Sequence, residues 1–115
     1  MATDFQTKEV QNVGTSFTNL TGSYTGGEVT VHAIYISNKN AAIRTFYLSL
    51  FDNAGTPVEK ASVLYNIEIP PQSTLVVEKP INLTTSTTAT EQRQLRIKAS
   101  HTSSLDVVAS VLVIT

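Results

Sequence analysis

The chain is predicted to be all-β, a single antiparallel β-sandwich of jelly-roll or immunoglobulin-like type with an extended N-terminal segment. Three observations lead there. Apolar residues recur with period two along almost the whole chain, and no stretch carries helical spacing. Clusters of Asn, Asp, Gly, Ser and Pro break these runs at intervals of about ten residues, the rhythm of sandwiches and barrels. The prolines stand at the ends of the runs, where a missing backbone N–H interrupts no ladder.

The strands follow in order. EVTVHAIYIS, 28 to 37, is rich in β-branched and aromatic residues and ends at the polar turn Asn38-Lys39-Asn40. The next strand, 43 to 51, places Phe46, Leu48 and Leu50 on one face and Ile43, Thr45, Tyr47 and Ser49 on the other. Asp52 to Pro57 is a dense set of turn formers, after which 58 to 69 supplies a strand with Val63, Tyr65, Ile67 and Ile69 at alternate positions. IEIPPQSTLVVEKPINL, 67 to 83, then stops at Pro70-Pro71, restarts over 73 to 78 and breaks again at Pro80. Both proline corners are expected to carry the chain from one sheet to the other.

TTSTTAT, 84 to 90, has little apolar area to bury and reads as an exposed, mobile loop. From 92 to 100 alternation returns, with Leu95, Ile97 and Ala99 facing in and Gln94, Arg96, Lys98 and Ser100 facing out. The last strand, LDVVASVLVIT from 105 to 115, departs from the rule. Leu105, Val107, Val111 and Val113 share one face, yet Val108, Leu112 and Ile114 share the other. An antiparallel sheet with one wet face should not be apolar on both sides. Either the N-terminal segment covers this strand or another subunit does. The strand from Glu28 is a milder case, with Ile34 and Ile36 opposite Val31, Ala33 and Tyr35.

At 115 residues the chain has the length of one domain. Residues 1–27 read as an N-terminal arm or first strands and 28–115 as the sandwich domain. The first segment is rich in Thr, Asn, Gln and Gly, carries scattered apolar residues such as Phe5 and Val10, and ends in the corner Gly26-Gly27.

Composition narrows the function. With no cysteine there are no disulfides, thiolate nucleophiles or Cys-ligated zinc. Eight Lys plus Arg against nine Asp plus Glu is nearly neutral, and Arg96 and Lys98 share a face without interleaved aromatics, so nucleic acid is not an expected partner. The first six residues have neither the basic nor the apolar region of a leader, and no apolar run reaches bilayer length. The expectation is a soluble protein made in the cytoplasm, with no membrane partner. His101, Ser103, Ser104 and Asp106 contain the residue types of a hydrolase triad, but triads are assembled from separate elements and there is no G-x-S-x-G elbow. His32, amid apolar residues, reads as packed or at an interface. The carboxylates are scattered, so no metal, cofactor or catalytic residue is assigned. Tyr35, Tyr47 and Tyr65 lie within strands, where core or sheet-face packing accounts for them. The sequons at Asn19 and Asn82 are read as chance.

The run VHAIYISNKNAAIRTFYLSLFDNAG (31 to 55), followed by IPPQSTLVVEKPINL (69 to 83), LRIKAS (95 to 100) and LDVVASVLVIT (105 to 115), resembles small β-sandwich virion proteins of tailed bacteriophages. The likeness spans about the last three quarters of the chain and leaves out residues 1 to 27. The long Thr/Ser loop replaces the Gly-Asp or Asp-Asp turn seen in many relatives. It implies a non-enzymatic virion component present in many copies, most simply a capsid decoration, or cement, protein. The implied partners are the major capsid protein or other virion proteins, together with copies of itself. A neck, tail or fibre-attachment role and, more distantly, a glycan-binding module are the alternatives. Phe5, Val10, Val108, Leu112 and Ile114 are the expected subunit-interface residues.

Overall fold

The computed structural model describes residues 2–115. They form nine strands: β1 (Thr3–Val10), β2 (Thr18–Asn19), β3 (Glu28–Asn38), β4 (Arg44–Phe51), β5 (Glu59–Ile69), β6 (Thr74–Val77), β7 (Ile81–Leu83), β8 (Gln94–Ala99) and β9 (Leu105–Ile114), with one short 3₁₀ turn at Ala89–Glu91. One sheet runs β1-β9-β3-β6, with β7 also on β3, and the other runs β2-β8-β4-β5. All pairs are antiparallel.

The pairing has a simple logic. β1 pairs with β9, β2 with β8, β3 with β6 and β7, and β4 with β5, as if one long hairpin had been doubled over on itself. That is the jelly-roll order, and it selects between the two sandwich types left open by the sequence. Residues 2–27 are part of this wrap, giving β1 to one sheet and β2 to the other. Val13 between them and Leu20 just after β2 are buried, and the chain hugs β8 through Ala99 N–H to Gly14 O (2.8 Å) and Leu20 N–H to Leu95 O (2.9 Å).

The core lies between the sheets. Phe46, Leu48, Leu95 and Ile97 face Ile34, Ile36, Val107 and Val111 from the opposite layer, all at most 1% exposed. Leu95, Ile97 and Ala99 point inward as the alternation requires. β3 reaches the core from both parities because His32 is an extra residue: the register steps from Val31↔Val111 to Ala33↔Ser110. This bulge puts Val29 and Val31 on the same side as Ile34 and Ile36. His32 itself is exposed, which corrects the packed half of the expectation that it is packed or at an interface.

β5, an edge strand, slips against β4 at three places. At one of them Asn66 is left-handed, with φ of 53°. The slips let both Leu64 and Ile67 pack on the core while Tyr65 swings out to 70% exposure. Pro70-Pro71 does carry the chain between sheets, from β5 to β6. Pro80 does not: β6 and β7 both pair with β3, so this proline only interrupts one strand position. The Thr/Ser loop is exposed at most positions, as expected, and is held by hydrogen bonds. Ser86 Oγ donates to Glu91 (3.0 Å), Gln92 Nε2 donates to Ser86 O (2.7 Å), and Thr85 Oγ1 donates to Gly27 O (2.9 Å).

At the tip of the doubled hairpin, between β4 and β5, buried Asp52 accepts from Val58 N–H (2.9 Å) and Ala54 N–H (3.2 Å) and lies 3.6 Å from the Lys60 ammonium. The Val58 N–H, chiefly, holds its carboxyl below the ordinary aspartate range; burial opposes this, and Ala54 and Lys60 add to it. A carboxylate lowered on folding stabilises the fold above its unfolded pKa, about 3.9, and that share is lost as pH falls through the folded value. Asp52→Asn is therefore expected to flatten the acid limb of the stability profile, read by urea unfolding across pH. An unchanged limb would refute this assignment.

Candidate interaction faces

Outward-pointing residues of the five-stranded sheet form rows across its strands. Phe5 of β1 lies opposite Leu112 of β9, which lies opposite Thr30 of β3; Thr3, Ile114 and Glu28 form the row beside it. Further along, Glu9, Val108, Tyr35 and Val76 line up across β1, β9, β3 and β6. Between these rows run the small residues Thr7, Ser110 and Ala33, with the exposed bulge residue His32 beside Ala33. Phe5 is 76% exposed, and Tyr35, Val76 and Val108 stand near 40%, at 42, 41 and 37%. Leu112 and Ile114 are half-buried by their neighbours in the sheet.

The doubly apolar character of β9 is thus explained on one side only. Its Leu105, Val107, Val111 and Val113 enter the core, while Val108, Leu112 and Ile114 look outward. The N-terminal segment pairs alongside β9 and does not lie over it. No other described part of the chain adds a layer to this face, which carries rows of apolar side chains separated by small polar residues and His32, with charged groups at its ends.

Four of the five residues expected at an interface, Phe5, Val108, Leu112 and Ile114, are brought together here. Val10 is not among them. In β1 the odd residues face outward, so Val10 turns inward and packs against the core. Tyr35 and Val76 complete the face and were missed. Of the core or sheet-face packing expected for Tyr35, the structure shows the sheet face, and Val76 joins it only through the β3–β6 register.

One end of the face is pinned by charge. Asp106 accepts from Asn12 N–H (2.8 Å) and meets the Lys39 ammonium at 3.0 Å, and Lys39 also donates to Asn12 Oδ1 (2.6 Å). Burial would raise the Asp106 carboxyl, but the hydrogen bonds from Asn12 and Lys39 and the lysine charge outweigh it, and the net shift is downward. The triad types near it are engaged separately: Ser104 Oγ accepts from Arg44 Nε (3.1 Å), and His101 Nδ1 shares a hydrogen bond with Ser100 Oγ (3.0 Å). Two shallow grooves flank the face, one of about 400 Å³ beside Gly27, Thr30 and Asn82 and one of about 250 Å³ beside Glu9, Asp106 and Val108.

The outer face of the second sheet has a different chemistry. Lys98 Nζ stands 4.7 Å from the Phe17 ring centroid and 4.8 Å from that of Tyr47, and the Arg96 guanidinium lies 5.6 Å from Phe51. Phe17 and Phe51 meet edge to face at 4.9 Å, as do Tyr47 and Tyr65 at 5.1 Å. The expectation that aromatics do not interleave with Arg96 and Lys98 is corrected. They come from β4, β5 and the segment before β2, so only strand register reveals them. Most rings are already covered by one another or by the cations; Tyr65 is the open one.

No protein-family model matches the chain, and no curated protein matches it. Among solved structures, the chain is similar to the CBM22-1 xylan-binding domain of Xyn10C from Paenibacillus barcinonensis, with a TM-score of 0.53 and 8% identity over 93% of this chain and 71% of that one. It is also similar to a chain of the T13 particle of infectious bursal disease virus, with a TM-score of 0.51 and 12% identity over 96% of this chain but only 30% of the viral one. At these identities the likeness is one of fold, and it identifies the chain as a β-sandwich of a kind found both in a carbohydrate-binding module and in a viral particle.

Proposed function

We propose that the chain is a non-catalytic structural component of a tailed-phage virion, a cement protein that seats the outer face of its five-stranded sheet on the major capsid protein or a neighbouring virion protein. The observation that carries this reading is the uncovered apolar face built by Phe5, Tyr35, Val76, Val108, Leu112 and Ile114. Covering one such side chain contributes about 1.5–3 kcal/mol. Repetition over a lattice turns such modest contacts into firm retention by raising effective concentration. The strand and turn pattern that resembles small phage virion proteins, and the shared fold with a viral particle protein, support the same reading. A place at the neck, tail or fibre base would use the same face.

The test is binding to phage particles lacking this protein. Leu112→Asp puts a carboxylate in the middle of the face without touching the core. It is expected to weaken retention on particles by roughly a hundredfold while leaving the circular dichroism spectrum and unfolding midpoint nearly unchanged. Retention equal to wild type would overturn the reading.

A second reading, recognition of a host-surface glycan, is favoured by the open Tyr65 ring beside Tyr47 and Lys98. It predicts retention on a glycan array that Tyr65→Ala abolishes and Leu112→Asp leaves intact. The cement reading predicts the reverse sensitivity on particles.

A further inference from the structure

A sandwich has four lateral sheet edges, and three of them here are poor templates for another strand. β2 spans two residues. β5 is broken by three slips of register and flanked by Pro57 and Pro70. The β6–β7 edge consists of four and three residues separated by Pro80. These are the devices that protect edges from stray pairing. β1 has none of them: its eight residues contain no proline, glycine or bulge and pair with β9 in unbroken register.

Its hydrogen-bonding parity follows from the Ala2–Thr115 pair, which exchanges two backbone hydrogen bonds of 2.9 Å. Alternation along an antiparallel pair then directs the N–H and C=O groups of Asp4, Gln6, Lys8 and Val10 toward β9. Those of Thr3, Phe5, Thr7 and Glu9 point to the free edge.

We propose that β1 is the seam of a two-fold dimer, pairing antiparallel with β1 of a second copy about an axis through Gln6. The sequence TDFQTKEV is self-complementary in this register. Phe5 and Thr7′ exchange backbone hydrogen bonds, as do Thr3 and Glu9′. Asp4 falls opposite Lys8′ and Lys8 opposite Asp4′, in the pairs whose side chains stand closer together. Among the described residues, neither Asp4 nor Lys8 has an ion pair within its own chain. Shifting the pairing by two residues in either direction keeps the faces aligned but separates both charge pairs, so charge selects the register. Because the axis is perpendicular to the sheet, the apolar faces of the two copies lie on the same side. Phe5 and Phe5′ meet diagonally across the seam, and the face that the cement reading uses becomes continuous over two subunits. The dimer itself does not depend on that reading, since it uses the strand edge and not the face.

The experiment measures molar mass by sedimentation equilibrium of the full chain. Wild type is expected at twice 12.4 kDa. Asp4→Lys and Lys8→Asp each turn two attractive pairs into two repulsive ones, and each is expected to raise the dissociation constant by about tenfold or more. The double variant carrying both changes restores the attraction with the signs exchanged, and it should return to the wild-type mass. The absence of native cysteine allows a second measurement. Gln6→Cys, on the axis, should form an intermolecular disulfide under mild oxidation, whereas Thr7→Cys, on the outer face opposite Phe5′, should not. A wild-type protein that stays monomeric at high micromolar concentration overturns the proposal. So does a dimer indifferent to the single reversals, a double variant that is not rescued, or a dimer lost on Leu112→Asp, which would place the contact on the apolar face. A dimer unaffected by Leu112→Asp combined with particles that still retain that variant would leave the seam standing and remove the cement reading.

Discussion

Asn38→Asp is expected to cost about 3–5 kcal/mol of folding free energy, a large share of the roughly 5–15 kcal/mol that a domain possesses. Asn38 is 2% exposed, at the end of β3. Its side-chain amide donates to the carbonyls of Ala42 (2.9 Å), Ile69 (3.0 Å) and Pro70 (3.2 Å), while its oxygen accepts from Asn40 N–H (2.9 Å). Its backbone N–H reaches Ser73 O at 2.8 Å. One amide therefore ties the end of one sheet to the Pro70-Pro71 corner that leaves the other. Proline has no N–H with which to fasten that corner itself, so the partner must bring the donors. A carboxylate has none, and it would face three carbonyl oxygens in a site closed to water.

The pH dependence separates this mechanism from a general packing defect. The site tolerates only the neutral form of the introduced carboxyl, which raises its folded pKa. Stability of the variant relative to wild type should then fall as pH rises above the ordinary aspartate range of about 3.9. Chemical unfolding at low and neutral pH provides the measurement. A deficit under about 1 kcal/mol, or one constant with pH, would show that the amide is not the tie described.

Gly27→Ala is the second large effect. Gly27 has φ of +80°, and an added Cβ would overlap the backbone carbonyl oxygen of Ile114. Gly22, with φ of +77°, has nothing within 4 Å of the same position. The left-handed backbone alone disfavours alanine by about 1–3 kcal/mol, and Gly22→Ala should show that amount. Gly27→Ala should exceed it, because the end of β9 must move as well. Ile114 sits on the apolar face, so displacement there reaches the proposed docking surface. The two unfolding midpoints and the particle retention of both variants test this. Equal losses would mean that the close approach of Gly27 to β9 carries no energy.

Much of this architecture was legible from local pattern. The strands from β3 onward can be read from alternation and turn chemistry to within about two residues, because each signal lies inside a short window. The same pattern marked β9 as apolar on both faces, and so pointed to Val108, Leu112 and Ile114. Bulges were harder. The change of parity between Val31 and Ile34 is visible in the sequence, yet it reads as a two-faced strand until β9 shows that His32 is an extra residue. A similar change between Leu64 and Ile67 hid the exposure of Tyr65.

What the sequence by itself determined is the alternation and the turns. These depend on residues near one another along the chain. Only the tertiary structure decided which strand lies beside which. It set β1 at an unblunted edge, left the outer face of β9 uncovered, turned Val10 inward, and gathered Phe17, Tyr47, Tyr65 and Lys98 on one surface. Such groupings arise from cross-strand register between distant segments, and a side chain's face reverses with a one-residue shift in pairing. The physical reason is that β-structure encodes its periodicity locally but its neighbours globally.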